Sequence, residues 1–322
     1  MVKHLSKHCV GCLAVYLLVF THLLTLPGCG PKSPFDRSNA NIDDITGYVF
    51  VGTISGRIGS QVLSRPGAIA MDPQWNLIIC DAGNLRLVKV KPDGTFLAEI
   101  GGFGFSRENF AAITDIATPD RVNFYVLDSS NSRIVRLDDD LNWISATKIS
   151  TLADNDNVGR LHAIAVNSFG DIFLSDPDNN RIVKLDRKYE LLQELTGYGG
   201  FFFPGRLAID ADDNLFVVGR NRKQIAAYDS YDNFLGDVTA KPLDDPAGLW
   251  VDRRGVLYLV DRKLNSVSIF GGDGKELYSF GSTGTGDYQF RRAESICVNN
   301  EGWIFVSDTE GDRVMVFRPN RQ

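Results

Sequence analysis

A turn with the pattern Asp-x-x-Asn-x-Arg, placed between two short apolar runs, recurs along this chain of 322 residues. The acids of successive copies are Asp81, Asp128, Asp176, Asp261 and Asp308, with Gly219 in the equivalent position between the third and the fourth. Five residues after these six positions come Arg86, Arg133, Arg181, Gln224, Ser266 and Arg313. Neighbouring copies are 42 to 48 residues apart. A period of this length predicts a propeller or another repeat array.

Each copy contains four short segments with the composition of strands, separated by polar turns. In the first copy they are residues 68–71, 77–80, 87–90 and 96–100. Four short antiparallel strands make one propeller blade, and six copies predict six blades. The sequence therefore predicts an all-β fold, a six-bladed β-propeller of four-stranded antiparallel blades.

The two ends of the chain complement each other. The sixth copy stops after its third strand, at residues 314–317, and lacks a fourth. Residues 48–54 have the pattern of the missing strand and lead into a glycine-containing exit like that of a complete copy. Because a closed ring leaves no unprotected sheet edge, we expect residues 45–322 to form a ring whose N-terminal strand completes the last blade.

The repeat resembles that of the NHL family, whose units run Pro-x-x-apolar-Ala, a Gly-Asn turn, Val-x-Asp-x-x-Asn-x-Arg and a Gly-x-x-Gly exit. The resemblance extends over residues 45–319 and is weakest over 203–237, where Gly219 and Gln224 replace the acid and the arginine. It implies a six-bladed propeller. It implies little about function, because the family includes scaffolds, RNA-binding proteins and a few enzymes.

The first 28 residues have the pattern of a secretion signal peptide. Lys3 and Lys7 precede an apolar run that ends in Leu-Pro-Gly and Cys29. This ending resembles the lipobox of bacterial lipoproteins, which implies cleavage before Cys29 and attachment of acyl chains such as palmitate to it. Gly30 then implies sorting to the outer membrane in diderm bacteria, facing the periplasm or the cell surface. An uncleaved membrane anchor is the alternative, and residues 29–44 predict a flexible tether.

Composition narrows the classes of partner and of site. The formal net charge is −6, and without Lys3 and Lys7 it would be about −8, which disfavours nucleic acid as the partner. After the leader only His162 remains among the histidines, and no Cys-x-x-Cys or paired-histidine spacing is present. A structural zinc site or a haem attachment site is therefore not encoded.

The repeated acids and arginines are interpreted as structural, since they recur from blade to blade, whereas a catalytic site would break the symmetry. Positions whose residue differs between blades are more informative about function. The most informative of them lie at the start of each innermost strand, around the central channel. Asp115, His162, Arg206 and Glu294 stand there, near one mouth of the channel. They are the candidate site residues, although a histidine hydrogen-bonded to the channel wall would explain His162 equally.

An enzymatic alternative follows from two resemblances. The copper- and zinc-dependent lyase of peptide amidation uses a similar ring, but its site needs several histidines. Lactonase-type six-bladed rings hold calcium with Glu, Asn and Asp, and Glu294 with Asp115 would imitate part of that set. No Asn occupies the equivalent positions, so no cofactor is expected, with calcium as the alternative.

Two further features stand outside this cluster. Cys80 and Cys297 lie in strands of the neighbouring first and sixth blades, where we expect two free buried thiols, with a disulfide as the alternative. The loop over residues 198–203 is rich in aromatic residues, and Tyr198, Phe201 and Phe202 are candidates for a partner-binding patch.

The first functional hypothesis is a non-enzymatic propeller, tethered by lipid on Cys29 to an envelope membrane, that binds a protein or a glycan. The second is a metal-dependent enzyme of the lactonase or lyase type that uses Glu294, Asp115 and His162. The third is a sensor that binds a small ligand in the channel.

Overall fold

The computed structural model describes residue 42 and residues 44–149, 158–196, 203–219, 224–239 and 243–322. These residues form six four-stranded antiparallel sheets. The first strand of each sheet contacts the first strand of the next, and that of the sixth contacts that of the first. The sheets are therefore the blades of a closed ring, which confirms the predicted six-bladed β-propeller. The signal peptide, Cys29, the tether up to residue 41 and the aromatic residues Tyr198, Phe201 and Phe202 lie outside the described residues.

Each blade has one strand next to the channel, and its other strands follow outward. Blade 1 contains Pro66–Met71, Leu77–Asp81, Arg86–Val90 and Phe96–Gly101, and blade 2 contains Ile113–Ala117, Phe124–Asp128, Arg133–Leu137 and Trp143–Lys148. Blade 3 contains Ala163–Val166, Ile172–Asp176, Arg181–Leu185 and Leu191–Leu195, and blade 4 contains Pro204–Ile209, Leu215–Gly219, Gln224–Tyr228 and Phe234–Asp237. Blade 5 contains Pro246–Val251, Leu257–Asp261, Ser266–Phe270 and Glu276–Phe280, and blade 6 contains Ala293–Val298, Ile304–Asp308, Arg313–Arg321 and Ile45–Ser55.

Short elements lie in the connections. Single 3-10 turns follow the second strands of blades 1, 2 and 6, at Ala82–Asn84, Ser129–Asn131 and Thr309–Gly311. Two-residue strand pairs lie in the loops that lead into blades 1 and 6: Arg57–Ile58 with Gln61–Val62, and Ser282–Thr283 with Gln289–Phe290. Over the ranges that the structure describes, no helix has the length and apolar character needed to cross a membrane.

The propeller has two faces, which we call the entrance face and the exit face. The strand next to the channel is called the inner strand. The entrance face is the face at which each inner strand begins, and the exit face is the face at which it ends. Because neighbouring strands are antiparallel, the loops between blades and the turns between second and third strands lie on the entrance face. The turns between first and second strands, and between third and fourth strands, lie on the exit face.

The ring closes as the sequence predicts. Ile45–Ser55 pairs antiparallel with Arg313–Arg321, so that Ile45 faces Arg321 and Ser55 faces Arg313. The pairing extends beyond the predicted residues 48–54 and 314–317 at both ends. Aromatic packing supports the seam, since the ring of Phe280 lies 4.8 Å from that of Phe317, centroid to centroid. The N-terminal strand therefore joins the two ends of the described domain by main-chain and side-chain contacts.

The core is divided into layers between neighbouring blades. In one layer Ala68 and Ala70 of blade 1 pack against Ile113 and Phe124 of blade 2. All side chains of the second strands are buried, because each of these strands has a blade on both sides. Cys80 and Cys297 lie in two different layers as free, fully buried thiols, in agreement with the expectation.

The repeated acid and arginine fasten the loop between blades to the sheet. Buried Asp81 accepts hydrogen bonds from Arg86 Nε and Asn84 Nδ2, both at 2.8 Å, and from the amide of Ser64 at 2.9 Å. Asp308 does the same with Arg313 and with amides that precede blade 6. Since the accepted amides belong to the loop that enters the inner strand, this motif positions the mouth of the channel. Its role is structural.

Candidate functional site

The candidate residues Asp115, His162, Arg206 and Glu294 all lie at the entrance ends of inner strands. In five blades the pairing of the inner strand with the second strand shifts register at this point, as it does between Ile113 and Asp115. A bulge of this kind takes side chains out of the regular alternation of a strand. It explains how residues of different blades turn toward a common mouth.

Asp115 and Arg206 form an ion pair across the channel. One carboxylate oxygen of Asp115 contacts Arg206 Nη1, and the other accepts a hydrogen bond of 3.0 Å from the amide of Ile164. Arg206 Nη1 also donates to the carbonyl of Thr114 at 3.2 Å. Both charged residues are 6% exposed. The structure thus brings two of the four predicted residues into contact, and their contacts join the inner strands of blades 2, 3 and 4.

Burial governs the electrostatics of this pair. It raises the pKa of Asp115 above the ordinary value of an aspartate, and the charge of Arg206 and the Ile164 amide oppose the rise. The Nε atom of Arg206 is buried and, among the described residues, has no hydrogen-bond partner. The charges of the pair are matched, but the guanidinium is not fully hydrogen-bonded.

Glu294 belongs to a second ion-pair network at the same mouth. Its Oε1 atom lies 3.0 Å from Arg262 Nη2, and its Oε2 atom lies 3.6 Å from Arg292 Nε. The charge of Glu294 still reaches Asp115, whose pKa it raises. The two acids are therefore electrostatic neighbours, and each has its own arginine.

His162 lies immediately before the inner strand of blade 3. Its amide donates a hydrogen bond of 3.0 Å to the carbonyl of Ser175, and its side chain is half-buried. Blade 3 lies between the blades that carry Asp115 and Arg206, so His162 occupies the intervening position at the mouth.

In blade 5, Gly248 stands at the position that Asp115 occupies in blade 2 and Arg206 in blade 4, and the reason is packing. A Cβ atom there would lie 2.8 Å from the Cα of Ser295 and 3.0 Å from the carbonyl oxygen of Glu294. The inner strands of blades 5 and 6 approach each other too closely for any side chain. This position reflects the closure of the ring and contributes no functional group.

Six aliphatic side chains line the channel beyond the mouth. They are, one from each blade, Ile69, Ile116, Ile164, Leu207, Leu249 and Ile296. The cavity that they share with Asp115 and Arg206 has a volume of about 160 Å³. Pockets for small organic ligands start at roughly 300 Å³. The channel interior therefore accommodates water or a small ion more readily than a metabolite.

Calcium was the alternative expectation, with the carboxylate oxygens of Glu294 and Asp115 as its ligands. Within the described ranges, no three His, Cys, Asp or Glu side chains are grouped so as to hold a metal ion. The carboxylates of both acids face arginines. A calcium ion bound there would have to replace these ion pairs with its own oxygen contacts.

Exposed aromatic side chains lie on the entrance face. Phe103 and Phe105, in the loop from blade 1 to blade 2, are 70% exposed and fully exposed, respectively. Phe203, the described end of the aromatic loop before blade 4, is about half exposed. The sequence pointed to that aromatic loop but not to Phe103 and Phe105. The signal for them is a Phe-Gly-Phe pattern followed by a polar stretch.

No protein-family model matches the chain. Protein brain tumor of Drosophila melanogaster, an NHL protein, is 29% identical over 124 residues. That match covers 37% of this chain and 12% of the relative, so the chain spans only a small part of the relative's length. It supports the interpretation of the repeats as NHL-like.

Solved structures share the fold at low sequence identity. A gluconolactonase from Xanthomonas campestris has a TM-score of 0.64 at 16% identity, covering 86% of this chain and 91% of its own. A virginiamycin B lyase from Staphylococcus aureus, in a catalytically inactive form with quinupristin, has a TM-score of 0.59 at 12% identity, covering 85% and 100%. A protein of unknown function from Bacteroides thetaiotaomicron has a TM-score of 0.63 at 17% identity, covering 85% and 77%. These similarities establish the propeller fold.

Proposed function

We propose that this protein is a membrane-tethered propeller of the bacterial envelope whose entrance face binds a protein partner. The observation that carries the proposal is the exposure of Phe103 and Phe105 on a loop between blades. Exposed aromatic side chains are enriched at protein interfaces, where they contribute much of the binding energy. Phe203 adds a third exposed ring to the same face.

The state of the channel mouth supports binding over catalysis. Asp115 and Glu294 are each engaged by arginines, and the cavity that Asp115 and Arg206 line is small. A general acid or base needs a side chain that is within reach of substrate. The loops around the mouth offer the more accessible contact surface.

The net charge of −6 limits the chemistry of the partner. A nucleic acid would be repelled by the acidic protein surface at long range. A glycan would pack sugar rings on the same aromatic side chains, so it is the alternative outcome of the binding experiment below.

The membrane tether rests on the leader pattern and Cys29. Several acyl chains on one cysteine give stable anchoring, since each buried methylene contributes about 0.8 kcal/mol. Metabolic labelling with a palmitate analogue should mark the wild-type protein and the Cys12→Ser variant. Cys29→Ser should lose the label. Persistent labelling of Cys29→Ser would contradict the lipid anchor.

Crosslinking of the native lipoprotein in membranes, followed by affinity capture, tests the entrance face. We expect a specific partner that the Phe103→Ser and Phe105→Ser double variant captures at least about tenfold less well. Phe169→Ser is the matched control, because Phe169 is also 70% exposed but lies in an exit-face turn of blade 3. Equal loss from the control, or no loss from the double variant, would refute the proposal. Release of the partner by a glycosidase would identify a glycan.

An enzyme of the lyase or gluconolactonase type is the second candidate. It is favoured by the names of the structural neighbours and by the buried Asp115, whose pKa is raised at the channel mouth. Metal analysis of the purified protein separates the two candidates. Stoichiometric calcium or zinc that is lost in Glu294→Gln would favour the enzyme, and its retention in Glu301→Gln would show that the loss is specific.

A further inference from the structure

A second cavity opens at the other end of the channel, on the exit face. Its volume is about 530 Å³, more than three times that of the channel cavity. Trp75, Arg121, Trp250 and Arg253 are among the residues that line it. This size falls within the range of pockets that hold small organic ligands.

Each turn between the first and second strands of a blade contains one residue with a positive φ. These residues are Trp75, Arg121, Gly170, Asp213, Gly255 and Gly302, with φ between 62° and 86°. The residue stands two positions before the second strand in five blades and three positions before it in blade 2. Glycine is the residue that adopts this conformation without steric strain. The three other residues, Trp75, Arg121 and Asp213, all line the exit cavity, whereas the three glycines do not. In this set of turns, a side chain takes the place of glycine only where it reaches the exit cavity.

Arg121 is held in place before any ligand binds. Its guanidinium carbon lies 3.9 Å from the centre of the Trp75 ring, a cation–π contact between blades 1 and 2. Its amide donates a hydrogen bond of 2.6 Å to Thr118 Oγ1, which fixes the turn. A preorganised cation loses little conformational freedom when it binds an anion.

Arg253 faces the same cavity from blade 5, the blade opposite Arg121 in the ring. Among the residues that the structure describes, neither guanidinium has a carboxylate within 4.0 Å. Burial lowers the pKa of Arg121, the positive charge of Arg253 lowers it further, and the charge of Asp72 opposes the fall. Asp72 is itself paired with Lys89 Nζ at 2.9 Å. Two like charges therefore interact across the exit cavity, with no carboxylate of the described residues in contact with either of them.

The acidic side chains that line the exit cavity have other partners. Asp252 accepts from Arg254 at 2.7 and 2.9 Å, and Asp213 accepts from the amide and the hydroxyl of Ser168 at 2.8 and 2.6 Å. Asp210, the third acid of this cavity, accepts from the amides of Asp212 and Asn214 at 2.8 and 3.0 Å.

Two further arginines line the cavity, and both are paired: Arg254 with Asp252 and Arg321 with Asp44. The cationic groups left to meet a ligand are Arg121 and Arg253.

We propose that the exit cavity binds a small organic anion, with its carboxylate or phosphate group between Arg121 and Arg253 and its planar apolar part against Trp75. Guanidinium groups bind both oxyanions through paired hydrogen bonds, and the indole supplies the apolar contact. The site is independent of the proposed partner-binding face, because it lies at the opposite end of the channel.

Saturation-transfer NMR and calorimetry on the purified full-length protein test this site with benzoate, phenyl phosphate and the neutral benzamide. We expect at least one anion to bind about tenfold or more tightly than benzamide, and the tighter of the two to identify the head group. Arg121→Gly should weaken that binding at least tenfold and still fold, because glycine adopts the positive φ of Arg121 without strain and is the positive-φ residue of this turn in three other blades. Arg253→Ala, at an exposed position, should weaken binding similarly.

Arg65→Gly is the matched control. Arg65 is also an arginine with a positive φ, 51°, but it lies on the entrance face and is exposed. We expect this variant to bind the anion as the wild type does. The site would be refuted if benzamide bound as tightly as both anions, if neither anion bound, or if Arg121→Gly bound with unchanged affinity.

Discussion

The carboxylate of Asp115 in blade 2 meets the guanidinium of Arg206 in blade 4, and the inner strand of blade 3 donates an amide to the same carboxylate. The contact spans blades that are not neighbours in the ring. It joins the entrance positions of blades 2, 3 and 4 through one buried carboxylate.

Replacement of Arg206 by methionine should destabilise the protein by about 3 to 5 kcal/mol, because the buried carboxylate of Asp115 loses its counter-charge. The loss should be larger at about pH 7 than at about pH 5, since burial raises the pKa of Asp115 and protonation at lower pH removes the charge. Urea unfolding of the wild type and of Arg206→Met at both pH values measures this loss of free energy of unfolding. The double variant Asp115→Asn with Arg206→Met should recover much of the loss. A double variant as unstable as Arg206→Met would contradict the pairing.

Replacement of Ile54 by alanine should destabilise the ring by about 2 to 4 kcal/mol, because Ile54 is 3% exposed and packs against Val314 and Val316 at the closing seam. Val51→Ala in the same strand is the control, since Val51 is 47% exposed and should change the free energy of unfolding by less than about 0.5 kcal/mol. Chemical denaturation of both variants gives the comparison. Similar effects from the two substitutions would argue against the burial of this strand.

Tyr48 should make the closing strand sensitive to alkali. Burial raises its pKa from 10.0 to about 12, so the folded protein retains a proton that the unfolded chain loses. The associated stability is complete below about pH 10 and is lost as the pH rises toward about 12, by an amount on the order of 2 kcal/mol. The free energy of unfolding, measured between about pH 8 and pH 11, should fall less steeply in Tyr48→Phe than in the wild type. Equal slopes would show that Tyr48 titrates normally.

Cys80 and Cys297 should resist alkylation in the folded protein. Both are fully buried, and burial raises the pKa of both thiols, so the reactive thiolate is scarce. Iodoacetamide at about pH 8, followed by peptide mass spectrometry, should label them only after denaturation. The method distinguishes them from Cys9, Cys12 and Cys29. Failure to label them in denaturant without reductant would indicate a disulfide.

The sequence predicted the blade count and the closure because both depend on local signals. Each Asp-x-x-Asn-x-Arg turn marks one hairpin, and the missing fourth strand of the last copy has its counterpart in Ile45–Ser55. A repeat whose units pack only on their neighbours leaves few alternatives for the whole. The buried contacts of Asp81 with Arg86 and the loop amides have the structural role that their repetition indicated.

The side-chain partners at the two mouths were decided by the tertiary structure. The sequence placed Asp115 and Glu294 at one mouth, but the pairing of the first with Arg206 and of the second with Arg262 depends on the radius of the channel and on the bulges at the strand starts. The contact of Arg121 with Trp75 depends likewise on two adjacent turns that are 46 residues apart in the chain. A repeat pattern specifies each blade by itself, whereas contacts across the channel arise only when the ring has closed.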